Sequence, residues 1–414
     1  MKANRKLLTR PLMVFMFTMV LANISSRMYG PLLALYLQSM GAGVSQVGLF
    51  FTLSSIVPLA FQILGGWLSD VLGRLQAVAI GSLAGLAGML VYLLAPGWEW
   101  MLLGAAAASV AGAFVAPSFQ AFVAEQSSEE NLGRVYGLSE SIFMIVGIVG
   151  PPLGGFLADN YGFKVLFMVA TAFYGTATVI RVLMARRAQR AETEVREKPT
   201  LQGLKSNLGA MVGMALGGGI LTWILISDGV RDITYRMAFE MQSIYLQDII
   251  GLSMTQIGWL MSISSVVTAL LMTRAGALSD KRGEHVGIVG GFGLIALGVV
   301  VFLNSAGFWG CAIAWVLFGF GSALISPAYN ALISKVVPQE LRGTAFGLFS
   351  TSLSFISLPA PYVGALLWQR VSPQFPFYVP VVATLLLLPV MWVKFNLRAE
   401  KRRVQSAPAV ATSS

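Results

Sequence analysis

The sequence predicts an all-α integral membrane protein, with twelve transmembrane helices in two pseudo-symmetric six-helix bundles. Three observations predict it. Of the 414 residues, 56% are hydrophobic and only 11% are charged, a charged share well below that of soluble domains. A soluble chain of this length could not hide so much apolar surface in one core. Twelve apolar runs each approach the ~20 residues that a helix needs to cross ~30 Å of hydrocarbon. The two halves also resemble one another at a nearly constant spacing of 210 residues, as between Asp70 and Asp280.

The runs cover 12–37, 46–69, 76–95, 99–124, 135–158 and 163–185, then 219–247, 256–279, 286–306, 309–334, 345–369 and 375–396. They are continuous and do not alternate with period two, which excludes barrel strands. Helices satisfy their own backbone hydrogen bonds, which lipid cannot do. The first run follows a basic start and could pass for a secretory signal. It continues past Arg27 to Leu37, however, and eleven further runs follow, so it is the first spanning helix. The abundant Met and Phe are read as lipid-facing or core. The domain reading is an N-terminal bundle (1–186), a connecting segment (187–218), a C-terminal bundle (219–396) and a basic, then disordered tail (397–414).

Lysine and arginine set the expected orientation. The start carries Lys2, Arg5, Lys6 and Arg10. The connection after the sixth run carries Arg181, Arg186, Arg187 and Arg190, and the end carries Lys394, Arg398, Lys401, Arg402 and Arg403. Only Lys164 and Arg370 fall on the opposite side. The positive-inside rule then places both termini in the cytoplasm of a cell membrane. The net charge of +10 is expected to meet the membrane surface and not nucleic acid. Cys311 is the sole cysteine, so no disulfide framework is possible within the chain. His285, the sole histidine, lies in a polar connection and supports neither a metal site nor a Ser-His-Asp triad. With no phosphate-binding GxxxxGK loop and no nucleophile-base-metal set, an enzyme is not expected, nor is a cofactor.

The repeat carries more than hydrophobicity. GGWLSD and AGALSD end at Asp70 and Asp280, APSFQA and SPAYNA contain Pro117 and Pro327, and Pro151 corresponds to Pro361. The register slips by one residue between Tyr36-Leu37-Gln38 and Tyr245-Leu246-Gln247. Duplication implies a pseudo-two-fold axis along the membrane normal, with a cavity between the halves.

Between the second and third runs stands GWLSDVLGRL, with Asp70, Gly73 and Arg74; its second copy, GALSDKRGEH, holds Asp280, Lys281 and Gly283. These loops resemble the G-x-x-x-D-R/K-x-G-R-K loop of the major facilitator superfamily, although Val71 and Leu75 replace basic residues. The likeness covers about residues 11–396. It implies the major facilitator fold and a cytoplasmic gate, with Asp70 at the start of the eleventh helix and Asp280 at that of the fifth. Arg74 aligns with Glu284 and Glu125 with Lys335, so an Arg74–Glu125 pair implies a Glu284–Lys335 pair of exchanged sign. The stretch GIVGPPLGG, with Gly147, Gly150, Pro151, Gly154 and Gly155, resembles the antiporter motif of efflux members. Glycines there permit close helix approach and the proline a bend. The arginine such antiporters carry in the fourth helix is absent, with Ala108 in its place.

Intramembrane charges are costly and usually functional. In DGVRDITYRMAFE, Asp228, Asp232, Arg236 and Glu240 share an i, i+4 stripe flanked by Arg231, Tyr235 and Phe239. The first run adds Asn23 and Arg27. Three cations against three anions suggest pairs that rearrange, with Asp232 or Glu240 carrying a proton. A monomeric alternating-access carrier is expected, exporting a small amphipathic or hydrophobic compound against protons. Uptake symport of a polar metabolite is the first rival, and a sensor that has lost transport is the second.

Overall fold

The structure is a computed structural model that describes residues 8–59, 61, 73–127, 129–189, 219–337 and 355–397. Asp70, most of the connecting segment, the start of the eleventh run and the tail from 398 lie outside the described residues. Those described form twelve helices and no strand. Helix α1 (Arg10–Tyr29) passes through a 3-10 turn at Gly30–Leu32 into Leu33–Ser39. Next come α2 (Val44–Ser54), α3 (Arg74–Leu94) and α4 (Met101–Gln126). Glu129–Gln189 is two helices, α5 (129–161) and α6 (163–189), divided at Gly162 with φ 80° and ψ 166°. The second half holds α7 (Ile220–Phe239), α8 (Met254–Arg282), α9 (Glu284–Leu303), α10 (Phe308–Val336), α11 (Ala360–Arg370) and α12 (Phe375–Lys394).

The repeat is visible in how helices begin. Gln46 accepts a hydrogen bond from the Gly43 N–H at 2.7 Å, and Gln256 accepts one from the Ser253 N–H at 3.0 Å. These contacts at corresponding places fix the starts of α2 and α8 by reaching back over the first turn. Gly73 and Gly283, with φ 93° and 103°, introduce α3 and α9.

Three sequence expectations are corrected. The seventh run is not one helix over 219–247. It breaks after Phe239 at Met241 (φ −103°, ψ 8°), then forms a π-helical turn at Tyr245–Ile249. The counterpart of Met241 is Leu32 (φ −104°, ψ 1°), 209 residues earlier, whereas the turn glycines Gly41 and Gly251 are 210 apart. The extra residue therefore falls where the wider π-turn accommodates it, which accounts for the slip in register. Arg181 is not in a polar connection: it lies in α6 with 2% of its surface exposed. Its guanidinium donates to the Thr18 hydroxyl (3.0 Å), the Ser82 hydroxyl (2.9 Å) and the Thr18 carbonyl (3.3 Å). His285 is likewise buried, in α9, with its ring edge-on to Trp392 at 5.0 Å.

The cores show how the halves meet. Helix alternation defines a terminal face, holding Arg10 and Lys394, and a far face. Toward the far face one apolar core joins both halves, with Leu37, Val47 and Phe50 in the same cluster as Leu246, Ile257 and Trp368. Toward the terminal face the described residues form separate cores. One is built on Phe15, Phe119 and Phe122, the other on Ile224, Leu332 and Phe395. The join runs along α5–α8 and α2–α11. A Cβ on Gly258 would lie 2.4 Å from the Pro151 carbonyl oxygen, and one on Gly48 would lie 2.6 Å from that of Pro361. Only hydrogen at these positions lets the helices approach so closely.

Polar contacts close the same seam. Asp159, at the end of α5, accepts from the Met254 N–H at 3.0 Å and the Thr255 N–H at 2.7 Å, so it caps α8 of the other half. Its pseudo-symmetric counterpart, Gln369 in α11, accepts from the Ser45 hydroxyl of α2 at 2.9 Å. Burial alone would raise the Asp159 pKa. Hydrogen bonds from Thr255, Met254 and Ser253 outweigh it and hold the carboxyl below its ordinary value of 3.8. A depressed pKa contributes stability that is complete above the unfolded value and is lost as pH falls through the folded one. Asp159→Ala is accordingly expected to cost about 0.5 kcal/mol at pH 7, the low end for an exposed cap. Melting curves of the two proteins should differ by a constant amount from pH 7 to about pH 5 and converge as pH falls through 3.8 and below.

Candidate functional site

Between the halves lies a cavity of about 480 Å³. Its wall takes Arg27 and Pro31 from the first span, Gly147 and Pro151 from α5, Gln242 from just after α7, and the rest from α7, α8, α9 and α10. The face of α7 turned to it is the stripe Arg231, Tyr235, Phe239, with Gln242 beyond the break. That stripe lies beside the Asp228–Glu240 stripe singled out from the sequence. Phe292, Trp315, Phe318 and Met261 also line it, so some of the aromatic and Met residues read as lipid-facing or core are cavity wall.

The α7 charges are mostly paired. Asp228, buried, accepts from the Tyr329 hydroxyl at 2.9 Å and pairs with Arg231 at 3.2 Å. The Arg231 guanidinium lies 5.4 Å from the Phe292 ring centre, and its Nε is buried without a hydrogen-bond partner. Asp232 pairs with Arg236 at 3.1 Å, one helical turn on. Glu240 is half-buried at the C-terminal end of α7 and has no hydrogen bond or ion pair among the described residues. Arg27 is exposed to the cavity and is likewise unpaired among them. Asn23 donates to the Met19 carbonyl of its own helix at 2.8 Å. No group of three or more His, Cys, Asp or Glu side chains suited to a metal occurs among the described residues.

The glycine motif of α5 positions Arg27. A Cβ on Gly150 would lie 2.6 Å from the Arg27 Cβ, and one on Gly154 would lie 1.9 Å from the Met28 carbonyl oxygen. Gly155 faces the Met254 and Thr255 backbone of α8 instead, and a Cβ there would collide with the Met254 carbonyl oxygen. Gly147, where an added Cβ would lie 3.6 Å from the Ser265 hydroxyl, borders the cavity. The motif thus holds α5 against α1 on one side and α8 on the other.

On the terminal face, Arg74 Nε donates to Glu125 Oε1 at 3.1 Å, and Lys335 pairs with the buried Glu284. These are the two pairs of exchanged sign. Asp280 and Lys281 are exposed at the end of α8, before Gly283. The aligned Asp70 lies outside the described residues.

Sequence reasoning missed the α10 contribution. Trp315, Phe318, Ser322, Ile325, Ser326 and Tyr329 follow the 3.6-residue period on one face. That period, with two serines in a bilayer helix, was the available signal. Asp159 was missed too; its only sequence signal is the repeat partner Gln369.

The family model of the Major Facilitator Superfamily matches residues 15–226 and 230–413. The chain belongs to the Major Facilitator Superfamily. It is a multi-pass membrane transporter and not an enzyme. Among relatives of this superfamily member, a multi-drug resistance efflux pump PmrA homolog of Lactococcus lactis is 24% identical over 390 residues, covering 90% of this chain and 91% of that one. A Na(+), Li(+), K(+)/H(+) antiporter of Planococcus maritimus is 22% identical over 362 residues, covering 82% and 85%. The crystal structure of a bacterial homologue of the iron transporter ferroportin, in an inward-facing state, shares the fold. Its TM-score is 0.75 at 16% identity, covering 94% of this chain and 99% of that one.

The glycine contacts give a direct test. Gly154→Ala is expected to cost about 1–3 kcal/mol through overpacking. Gly137→Ala, with nothing within 4 Å of the added Cβ among the described residues, is expected to be neutral or to stabilise by up to about 1 kcal/mol through helix propensity. Thermal unfolding of the two purified variants in one detergent checks both.

Proposed function

We propose that this transporter exports a small amphipathic compound from the cytoplasm in exchange for protons, by alternating access. In this reading the terminal face is cytoplasmic, the protein works as a monomer in the cell membrane, and the halves are closed at the outer face. The observation that carries it is the wedge arrangement. A cavity walled by both halves lies between a shared far-face core and two terminal-face cores that are separate among the described residues. Rocking of the halves about such a cavity is the working principle of secondary carriers with this repeat. The efflux-pump and antiporter relatives support export and ion exchange.

Glu240 is assigned the proton. Asp232 is held by Arg236 and Asp228 by Arg231 and Tyr329. Glu240 alone of the three carboxylates has no such partner among the described residues, so its charge can change without breaking an ion pair. Asp70 and Asp280, with the Arg74–Glu125 and Glu284–Lys335 pairs, are assigned to the cytoplasmic gate. Asp70 and Asp280 would cap helices of the opposite half when that side closes.

Uptake symport is the second reading, favoured by Ala108 where efflux antiporters carry arginine. Proteoliposomes with an internal pH dye and an imposed proton gradient separate the two. Export coupled to protons requires that a substrate of one side move opposite to the proton. Glu240→Gln is expected to lower coupled proton flux by about a hundred-fold, as for loss of a proton-transfer group, and Asp232→Asn by far less. The reverse order moves the proton to Asp232. Co-directional movement replaces export by symport, and a binding signal with no flux supports a sensor.

A further inference from the structure

We infer that the cavity takes an amphipathic organic anion: a carboxylate, sulfonate or phosphate monoester on an apolar body of about two rings, with Arg27 as its counter-charge. This rests on the transport reading for its role as cargo, and on the cavity wall alone for its chemistry.

The charged side chains of the wall, among the described residues, are Arg27 and Arg231, and no carboxylate joins them. Arg231 is neutralised by Asp228 but keeps a buried Nε–H with no acceptor. Arg27 has no anion at all among the described residues. Guanidinium donors bind oxyanions through charge-assisted, often bidentate hydrogen bonds. Ser264, Ser322, Ser326 and Gln242 face the same space, and no hydrogen bond engages their side chains among the described residues. They can donate to the remaining anion oxygens.

The apolar body has its own place. Tyr235, Phe239, Trp315 and Phe318 line the wall, and about 480 Å³ suits a small drug-sized molecule. A lipophilic cation is the natural competitor for aromatic rings, but these faces are partly taken. Tyr235 and Phe239 stack on each other at 4.3 Å, and Arg231 already lies over Phe292. A second cation would also face two guanidiniums. Export of an anion is favoured by an inside-negative potential, which suits the proposed direction.

Isothermal titration calorimetry of the full-length protein in detergent tests this with three matched probes: 1-naphthoate, 1-naphthylmethanol and 1-naphthylmethylammonium. Naphthoate is expected to bind about ten-fold or more tightly than either of the others. Arg27→Gln should abolish that preference by weakening naphthoate far more than naphthylmethanol, and Arg27→Lys should retain part of it. Both variants are compared at matched melting temperature and elution volume. Naphthoate binding equal to or weaker than that of the cation, no naphthoate binding at millimolar concentration, or a preference untouched by Arg27→Gln each overturns the inference. Failure of the transport reading looks different: naphthoate binds through Arg27 but does not cross proteoliposome membranes.

Discussion

Hydrocarbon does not solvate a guanidinium, and the arrangement of this protein follows from how it meets that constraint. Five arginines sit within the spans; Arg274 is exposed near the terminal-face end of α8, and the other four each have a different solution. Arg181 is surrounded by neutral acceptors from α1 and α3, which ties three helices of the N-terminal bundle together. Arg231 shares Asp228 with Tyr329 and rests on Phe292, which ties α7 to α9 and α10. Arg236 turns to Asp232 on its own helix. Arg27 is left to the cavity. Orphaning a buried, hydrogen-bonded cation or one partner of a buried pair is costly, so Arg181 and Arg231 are structural anchors, and Arg27, facing the cavity and unpaired among the described residues, is free to meet a solute.

The second constraint is the distance between backbones. The two bundles touch through α5–α8 and α2–α11, where glycine faces proline carbonyls in symmetry-related positions. Such contacts add no charge and no long side chain. They form a seam that can separate without leaving an ion buried, and the polar contributions of Asp159 and Gln369 lie at its solvent-exposed end. The antiporter-type glycines serve this seam and the seating of Arg27 together, so motif and site are one piece of packing.

Much of this was legible in the sequence. Hydropathy gave the spans, because continuous apolar runs have few physical explanations. The repeat gave the two halves and the Arg74–Glu125 and Glu284–Lys335 pairs, because duplicated loops fold alike. Less visible was which face of α7 meets the cavity. An i, i+4 stripe of charge is conspicuous, but Asp228, Asp232 and Arg236 attract partners of their own, and their neighbours Arg231, Tyr235 and Phe239 form the wall. Arg181 misled for a related reason. Placed by a count of basic residues, it looked like a membrane-surface cation, and only the hydroxyls of Thr18 and Ser82 on other helices explain its burial.

The π-turn at Tyr245–Ile249 has a consequence for how the two copies can diverge. Gly154 meets the Met28 backbone and Gly364 meets that of Met237, although one pair of partners is 210 residues apart and the other 209. The surplus residue is stored within the coil of a single helix, so the helices on either side keep their phase. Length changes between duplicated bundles can thus be absorbed in the last turn of a helix and not only in a loop, without disturbing the contacts on which the halves pivot.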